Sequence, residues 1–191
     1  MENTTVFIDN GYLKLIAKHF KKMGFDINQF AITISKEQKL WCENVYFYTA
    51  PPYQSSKPTE DEKRRKAEYD NFIYSLKKIP NFIVREGRCR KIDGKYSQKG
   101  VDTLITMDLT WYPINHKNNK NLIIITADTD FVPILNHLRK NGINVILYYY
   151  TDRERGSIFS MSNHLSKVCD KQVLLTPDHF NKLKSLNKKN H

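Results

Sequence analysis

The sequence predicts an α/β fold in three layers, with helices on both faces of a central, mainly parallel β-sheet of the Rossmann-like type. Apolar runs of strand length recur along the chain, with helical segments between them. One run, at residues 122–125, contains only leucine and isoleucine, which is typical of a strand buried on both faces of a parallel sheet. A length of 191 residues, of which 40% are hydrophobic, fits one globular domain with a packed core.

The first half of the chain is expected to alternate strands and helices. Its predicted elements are a strand at residues 4–8, a helix at 11–23, a strand at 45–49, a helix opening at 59 and running to 78, and a strand at 81–89. Gly24 ends the first helix and Pro80 stops the second. Thr59 and Glu62 have the spacing of a capping box, which marks where the second helix begins.

The second half continues this alternation after a polar, basic segment at residues 90–98, which should form a hairpin or an exposed loop. The predicted elements are a helix at 101–111, the central strand at 122–125, a helix at 131–140, a strand at 143–149, a short helix near 158–165 and a last apolar run at 173–175. Residues 1–176 then make one domain. Residues 177–191 make a C-terminal helix, opened by Pro177, and a basic tail.

The charge of the chain favours a polyanionic partner. Lysine and arginine number 31 against 20 aspartate and glutamate residues, which gives a formal net charge of +11. Basic surfaces bind nucleic acids through phosphate contacts and the release of counterions. A lysine-rich surface that only confers solubility explains the same charge, so the charge alone leaves the partner open.

Cysteine usage and hydropathy narrow the class of protein. Cys42, Cys89 and Cys169 are odd in number, lie far apart and include no CxxC pair, so neither a disulfide framework nor a structural zinc site is predicted. The first ten residues are polar, and no apolar run is long enough to span a bilayer. We therefore expect a cytoplasmic protein with no membrane partner.

Acidic side chains follow two of the predicted strands at their carboxyl ends. Asp9 closes the run VFID, Asp128 closes LIIITAD, and Asp130 lies two residues further on. Ligands of open parallel sheets bind outside the carboxyl ends of the strands, so these carboxylates converge if the two strands are neighbours. Asp102, at the start of a predicted helix, can approach from the side. Taken singly, each aspartate is more often a helix cap than a ligand, but their coincidence at two strand ends favours a shared site.

Carboxylates gathered in one crevice need a counter-charge, because they repel one another unless a divalent cation neutralises them. Mg²⁺ and Mn²⁺ prefer oxygen ligands, keep several waters and bind phosphates. Such ions can activate water for in-line attack on a phosphodiester. The sequence therefore predicts Mg²⁺ or Mn²⁺ at these aspartates.

Three segments, FIDNGYL, KGVD and TADTDFVPILNHLRKNGINV, resemble in this order the motifs of NYN domains, which are PIN-like ribonucleases of the LabA type. The resemblance runs from Val6 to about Leu175. It implies a PIN-like fold and a divalent-metal-dependent ribonuclease that hydrolyses RNA phosphodiester bonds. The catalytic and metal-binding positions that it implies are Asp9, Asp102, Asp128 and Asp130, with Asn10, Asp108 and Thr126 in supporting roles. For Asp108, helix geometry favours an outer position over direct ligation.

Basic residues close to aromatic ones are candidates for contacts with RNA, which we expect to be single-stranded. They are Arg85, Arg88, Arg90, Lys99, Arg153 and Arg155. Lys99 is a solvated loop lysine in the alternative interpretation. A non-catalytic RNA-binding or regulatory interaction module with the same fold is the alternative function, and assembly into a homo-oligomer is left open.

Overall fold

The computed structural model describes residues 1–152, 157–159 and 162–181, and it confirms the predicted α/β architecture. The strands of the described chain are β1 (Glu2–Asp9), β2 (Leu40–Thr49), β3 (Phe82–Glu86), β4 (Arg88–Ile92), β5 (Lys95–Lys99), β6 (Asn121–Ile125), β7 (Asn144–Tyr149) and β8 (Lys171–Leu174). The central sheet has six strands in the order β3-β2-β1-β6-β7-β8, and each of its pairings is parallel. Strands β4 and β5 form a separate antiparallel hairpin.

Helices cover both faces of the sheet. They are α1 (Asn10–His19), α2 (Ile27–Glu37), α3 (Glu60–Lys77), α4 (Val101–Asn115), α5 (Val132–Lys140), α6 (Asn163–Lys167) and α7 (Pro177–Asn181). Residues of α1, α2, α3 and α7 share one buried cluster, and residues of α4, α5 and α6 share the other. In the described chain, no helix is both long enough and apolar enough to cross a bilayer.

Strands β1 and β6 are neighbours at the centre of the sheet, which is the condition under which Asp9 and Asp128 can share one site. The register pairs Thr4 with Asn121 and Ile8 with Ile125. Every residue of β6 is buried, as expected for a strand covered on both faces. Because side chains alternate along a strand, Ile8 enters the core beneath α1 and α2, whereas Phe7 packs edge-on against Tyr112 of α4.

Local chemistry fixes several of these elements. The predicted capping box at the start of α3 is present, since the hydroxyl of Thr59 accepts from the backbone N–H of Glu62 and the Glu62 carboxylate accepts from that of Thr59. The hairpin turns at Asp93 and Gly94, which both have positive φ angles, as a tight type I′ turn requires.

Three predicted bounds are corrected, and one helix was not predicted. The strand expected at residues 81–89 ends at Glu86, where the N–H of Gly87 still donates to the carbonyl of Thr49 (2.8 Å), the last residue of β2. The first helix ends at His19, before the left-handed Gly24. The short helix expected near residues 158–165 begins only after Ser162, whose hydroxyl accepts from the backbone N–H of His164, and α2 was not predicted at all.

The end of the described chain belongs to the core. Phe180 of α7 is buried against the rings of Phe20, Phe25 and Phe30. The basic tail at residues 182–191 lies outside the described residues. The division of the chain at residue 176 therefore stays a prediction.

Candidate metal-binding edge of the sheet

The carboxyl ends of β1 and β6 lie side by side and carry the acidic residues of the predicted site. Asp9 is the last residue of β1, and Asp128 and Asp130 follow β6 in the connection to α5. Asp102 stands in the first turn of α4. We call these four residues the aspartate edge.

Asp9 has two roles in its surroundings. One is structural, because its Oδ1 accepts from the backbone N–H of Tyr12 (3.3 Å) and so caps α1. The other is electrostatic. Burial, followed by the charges of Asp102 and Asp128, raises the pKa of Asp9 to about 6, although hydrogen bonds from the backbone of Tyr12 and Gly11 act in the opposite direction. The ionised carboxylate therefore costs free energy where it stands.

The loop after β6 is held by its own side chains. Thr126 is fully buried, and its Oγ1 accepts from the backbone N–H of Asp128 (3.1 Å). Oδ1 of Asp128 in turn accepts from the backbone N–H of Asp130 (2.9 Å) and caps a short 3₁₀ turn, Thr129–Phe131. The hydroxyl of Thr126, for which the resemblance implied a supporting role, thus stabilises the shape of this loop.

The motif KGVD brings Asp102 to the same edge. Gly100 precedes α4 with a φ of +83°, a conformation that favours glycine, and Asp102 follows it in the first helical turn. Partial burial, then the charges of Asp128 and Asp130, raise the pKa of Asp102, whereas the ammonium of Lys99 lowers it. Lys99 therefore lies within electrostatic range of the site.

The structure thus brings Asp9 within electrostatic range of Asp102 and Asp128, and Asp102 within range of Asp128 and Asp130. Asp9 and Asp128 are also helix caps. Their oxygen donors match the preference of Mg²⁺ and Mn²⁺. As the side chains stand, however, no group of three or more histidine, cysteine, aspartate or glutamate residues in the described chain is close enough to hold one metal ion. The chemistry of the donors, rather than their present spacing, is what fits such an ion.

The raised pKa of Asp9 predicts a stability effect that depends on pH. The folded protein binds the Asp9 proton more tightly than the unfolded chain, so between about pH 4 and pH 6 the wild type should lose stability as the pH rises. Asp9→Asn removes the charge and keeps a side chain that can cap α1. We expect Asp9→Asn to raise the free energy of unfolding at pH 7, without divalent ions, by on the order of 2–3 kcal/mol.

Urea denaturation of both proteins at pH 4 and pH 7 measures this effect. The advantage of Asp9→Asn should be small at pH 4 and full at pH 7. Asp93→Asn, on the exposed turn of the hairpin, is the matched control and should change stability by less than about 0.5 kcal/mol. A gain that is equal at both pH values would refute the electrostatic explanation.

Asn10 follows Asp9 directly and is the first residue of α1. Its side chain is buried, and Nδ2 donates to the hydroxyl of Thr49 at the end of β2 (3.0 Å). This bond ties the start of α1 to the neighbouring strand. Asn10 also forms part of the floor of a groove beside the aspartate edge, a feature that no sequence motif indicated because its walls come from distant segments.

Asp108 and Arg85 bind each other. Arg85 donates to both oxygens of Asp108, from Nε at 2.8 Å and from Nη2 at 2.6 Å, and the hydroxyl of Tyr48 donates to Oδ2 at 2.9 Å. Both oxygens of Asp108 are thereby occupied, and the guanidinium predicted to contact RNA has a protein partner. No local spacing in the sequence indicated this pair, which joins β3 to α4.

The remaining predicted RNA contacts divide into two groups. Arg88 and Arg90 are exposed on β4, on the same face of the hairpin as Lys99. Arg153 and Arg155 lie outside the described residues. The two ends of the hairpin approach each other closely at its base, since a Cβ on Gly87 would stand 2.6 Å from the carbonyl oxygen of Lys99.

Comparisons with known proteins agree on the fold. The NYN domain model matches residues 3–176, nearly the whole chain, which confirms the resemblance seen in the motifs. The comparison with curated proteins found no match. Among solved structures, a Vibrio parahaemolyticus protein of unknown function is similar to this chain, with a TM-score of 0.60, 18% sequence identity, and coverage of 93% of this chain and 94% of that one. The chain therefore belongs to the NYN domain family, a family of PIN-like nucleases.

Proposed function

We propose that this protein is a divalent-metal-dependent ribonuclease that hydrolyses RNA phosphodiester bonds at the aspartate edge. The observation that carries the proposal is the gathering of carboxylates at adjacent strand ends, where burial and mutual repulsion raise the pKa of Asp9 and of Asp102. A folded protein keeps such an unfavourable cluster at a cost, and perturbed acidic groups of this kind are typical of functional sites.

In this proposal the four aspartates bind the metal ion, and two neighbouring residues hold them in position. Asp9, Asp102, Asp128 and Asp130 would hold Mg²⁺ or Mn²⁺, which when bound activates water and stabilises the leaving oxygen in an in-line attack. Asn10 fixes the end of β1 through Thr49, and Thr126 fixes the loop that carries the acidic pair after β6. These two residues position the carboxylates and need not touch the substrate.

Basic side chains beside the edge suit a polyanionic substrate. Lys99 is near enough to Asp102 to lower the pKa of that carboxyl, so its ammonium is also near a phosphate bound there. Arg88 and Arg90 extend the positive charge along the exposed hairpin. Together with the net charge of +11, these residues favour single-stranded RNA as the substrate.

Incubation of the purified protein with end-labelled single-stranded RNA and DNA, in Mn²⁺, in Mg²⁺ or in chelator, tests the proposal. We expect RNA to be cleaved with at least one of the two ions and to stay intact in chelator. Cleavage that survives chelation, or no cleavage of RNA with either ion, would reject a metal-dependent ribonuclease.

A second candidate is a non-catalytic RNA-binding or regulatory module. It is favoured by the separation of the carboxylates, since no group of three or more potential ligands in the described chain is close enough to hold one ion. Such a module would bind single-stranded RNA equally well in chelator and in Mn²⁺ and would leave it uncut. The assay above therefore distinguishes the two functions.

A further inference from the structure

A groove of about 540 Å³ opens beside the aspartate edge, and its volume is within the range of pockets that bind small ligands. Its floor includes Asn10 and Thr49, at the ends of β1 and β2. One wall is the side of α3 that carries Arg65, Tyr69 and Phe72. These residues follow helical spacing and therefore project from one side of α3.

The hairpin supplies part of the opposite wall. Cys89 and Gln98 line the groove and are cross-strand partners, so they lie on the same face of the hairpin. The next pair on that face is Lys91 with Tyr96, whose ring stands 5.7 Å from the ring of Tyr53. The groove thus continues outward as an aromatic and basic surface.

The chemistry of the groove suits a nucleobase. Aromatic and apolar side chains form most of its walls, and the polar side chains of Asn10, Thr49 and Gln98 can exchange hydrogen bonds with a base edge. The ammonium of Lys14 and the guanidinium of Arg65, which also pairs with Asp61 at 2.9 Å, stand in its lining. An apolar peptide has no anionic groups that could pair with these cations, whereas a nucleic acid strand has its phosphates.

The groove carries one acidic residue, Glu68, whose carboxylate is paired with Arg64 at 2.8 Å. Its charge is therefore partly offset. The cation of Lys91 lies 5.5 Å from the ring centre of Tyr96, at the outer end of the groove. The balance of charge along the wall is positive, as a phosphate backbone requires.

Groove and aspartate edge meet at Gly11. A Cβ on this glycine would stand 3.1 Å from Oδ1 of Asp9 and 3.6 Å from Oε1 of Gln98. One residue thus separates a carboxylate of the edge from a side chain of the groove wall. A base in the groove would be attached to a backbone that reaches the aspartates.

We infer that the groove binds an unstacked base of single-stranded RNA, next to the phosphodiester held at the aspartate edge. The placement relative to the phosphodiester rests on the proposed function, whereas base binding in the groove can be measured without it. Phe72, which lines the groove, and Tyr96, which lies beyond the lining on the same hairpin face as Cys89 and Gln98, are 39% and 55% exposed and are the residues proposed to stack on bases.

The test uses a short single-stranded RNA that contains one 2-aminopurine, titrated with the full chain in chelator so that no cleavage is needed. Binding to the wild type should quench the 2-aminopurine fluorescence, because the base stacks on an aromatic ring. Phe72→Ala and Tyr96→Ala should each weaken the affinity by roughly tenfold and reduce the quenching.

Two exposed residues provide matched controls. Tyr74→Ala is on the same helix as Phe72, and Ile92→Ala is on the opposite hairpin face from Tyr96. Neither residue lines the groove, and both variants should bind RNA as the wild type does. Equal binding by all four variants, or an equal loss in all four, would overturn the inference. Tighter binding of a free 2-aminopurine ribonucleotide than of the strand would overturn it as well.

Failure of this inference is distinguishable from failure of the proposed function. If the groove variants lose RNA binding but the wild type cuts no RNA with Mn²⁺ or Mg²⁺, the base site stands and the nuclease proposal fails. If the wild type cuts RNA and the groove variants keep its affinity and its KM, the nuclease proposal stands and the groove has no part in binding.

Discussion

Asp128→Asn should lower the rate of RNA cleavage by about a hundredfold or more and leave the fold intact. The substitution removes one of the anionic oxygens expected to hold the metal ion, and loss of a group that stabilises the transition state typically has an effect of at least this size. Asparagine keeps a side-chain oxygen that can accept from the backbone N–H of Asp130, so the 3₁₀ turn should survive. Single-turnover cleavage of end-labelled RNA in Mn²⁺ measures the effect.

Asp93→Asn is again the matched control, since it removes an exposed aspartate far along the hairpin and should cleave at the wild-type rate. Circular dichroism of the variants checks that they are folded. Undiminished cleavage by Asp128→Asn would mean that another site, or a contaminating nuclease, cuts the RNA. Asp102→Asn should behave as Asp128→Asn does if the two carboxylates serve one centre.

Arg85→Ala should lower the free energy of unfolding by about 3 kcal/mol. The side chain of Asp108 is only 12% exposed, and removal of the guanidinium takes away the donor to both of its oxygens and leaves the bond from the hydroxyl of Tyr48. Breaking a largely buried ion pair on one side costs more than an exposed pair is worth. Urea denaturation at pH 7 gives the measurement.

The same variant decides between two roles of Arg85. Arg88→Ala, on the exposed hairpin, should change stability by less than about 0.5 kcal/mol and weaken RNA binding. If Arg85→Ala is as stable as the wild type and instead loses affinity for RNA, the ion pair is dispensable and the predicted RNA contact is the better description. Replacing both Arg85 and Asp108 by leucine should recover part of the lost stability.

Local patterns in the sequence predicted the centre of the fold well. The leucine and isoleucine run of β6 predicted a strand in the middle of a parallel sheet, which the structure confirms. Its adjacency to β1 was only a condition for the shared site, and the structure meets that condition. The capping box of Thr59 was likewise visible because its two residues are three positions apart in sequence. The meeting of Asp9 and Asp128 followed from strand adjacency alone.

Features that depend on contacts between distant segments could not be predicted from local sequence patterns. The pair of Arg85 and Asp108 joins two elements that no local spacing relates. Helix α2 was missed although Asp26 caps it and Ile27, Phe30 and Ile34 recur at helical intervals, so a closer count of periodicity would have found it. The spacing of the carboxylates is also invisible in sequence, because they stand at the ends of different elements.

The hairpin of β4 and β5 leaves the domain and returns to it at almost the same point, since Gly87 nearly touches Lys99. An arm anchored in this way can be lengthened, shortened or exchanged while the six-stranded sheet beneath it keeps its order. Changes in the length of this arm therefore leave the strand order, and with it the adjacency of β1 and β6, unaltered.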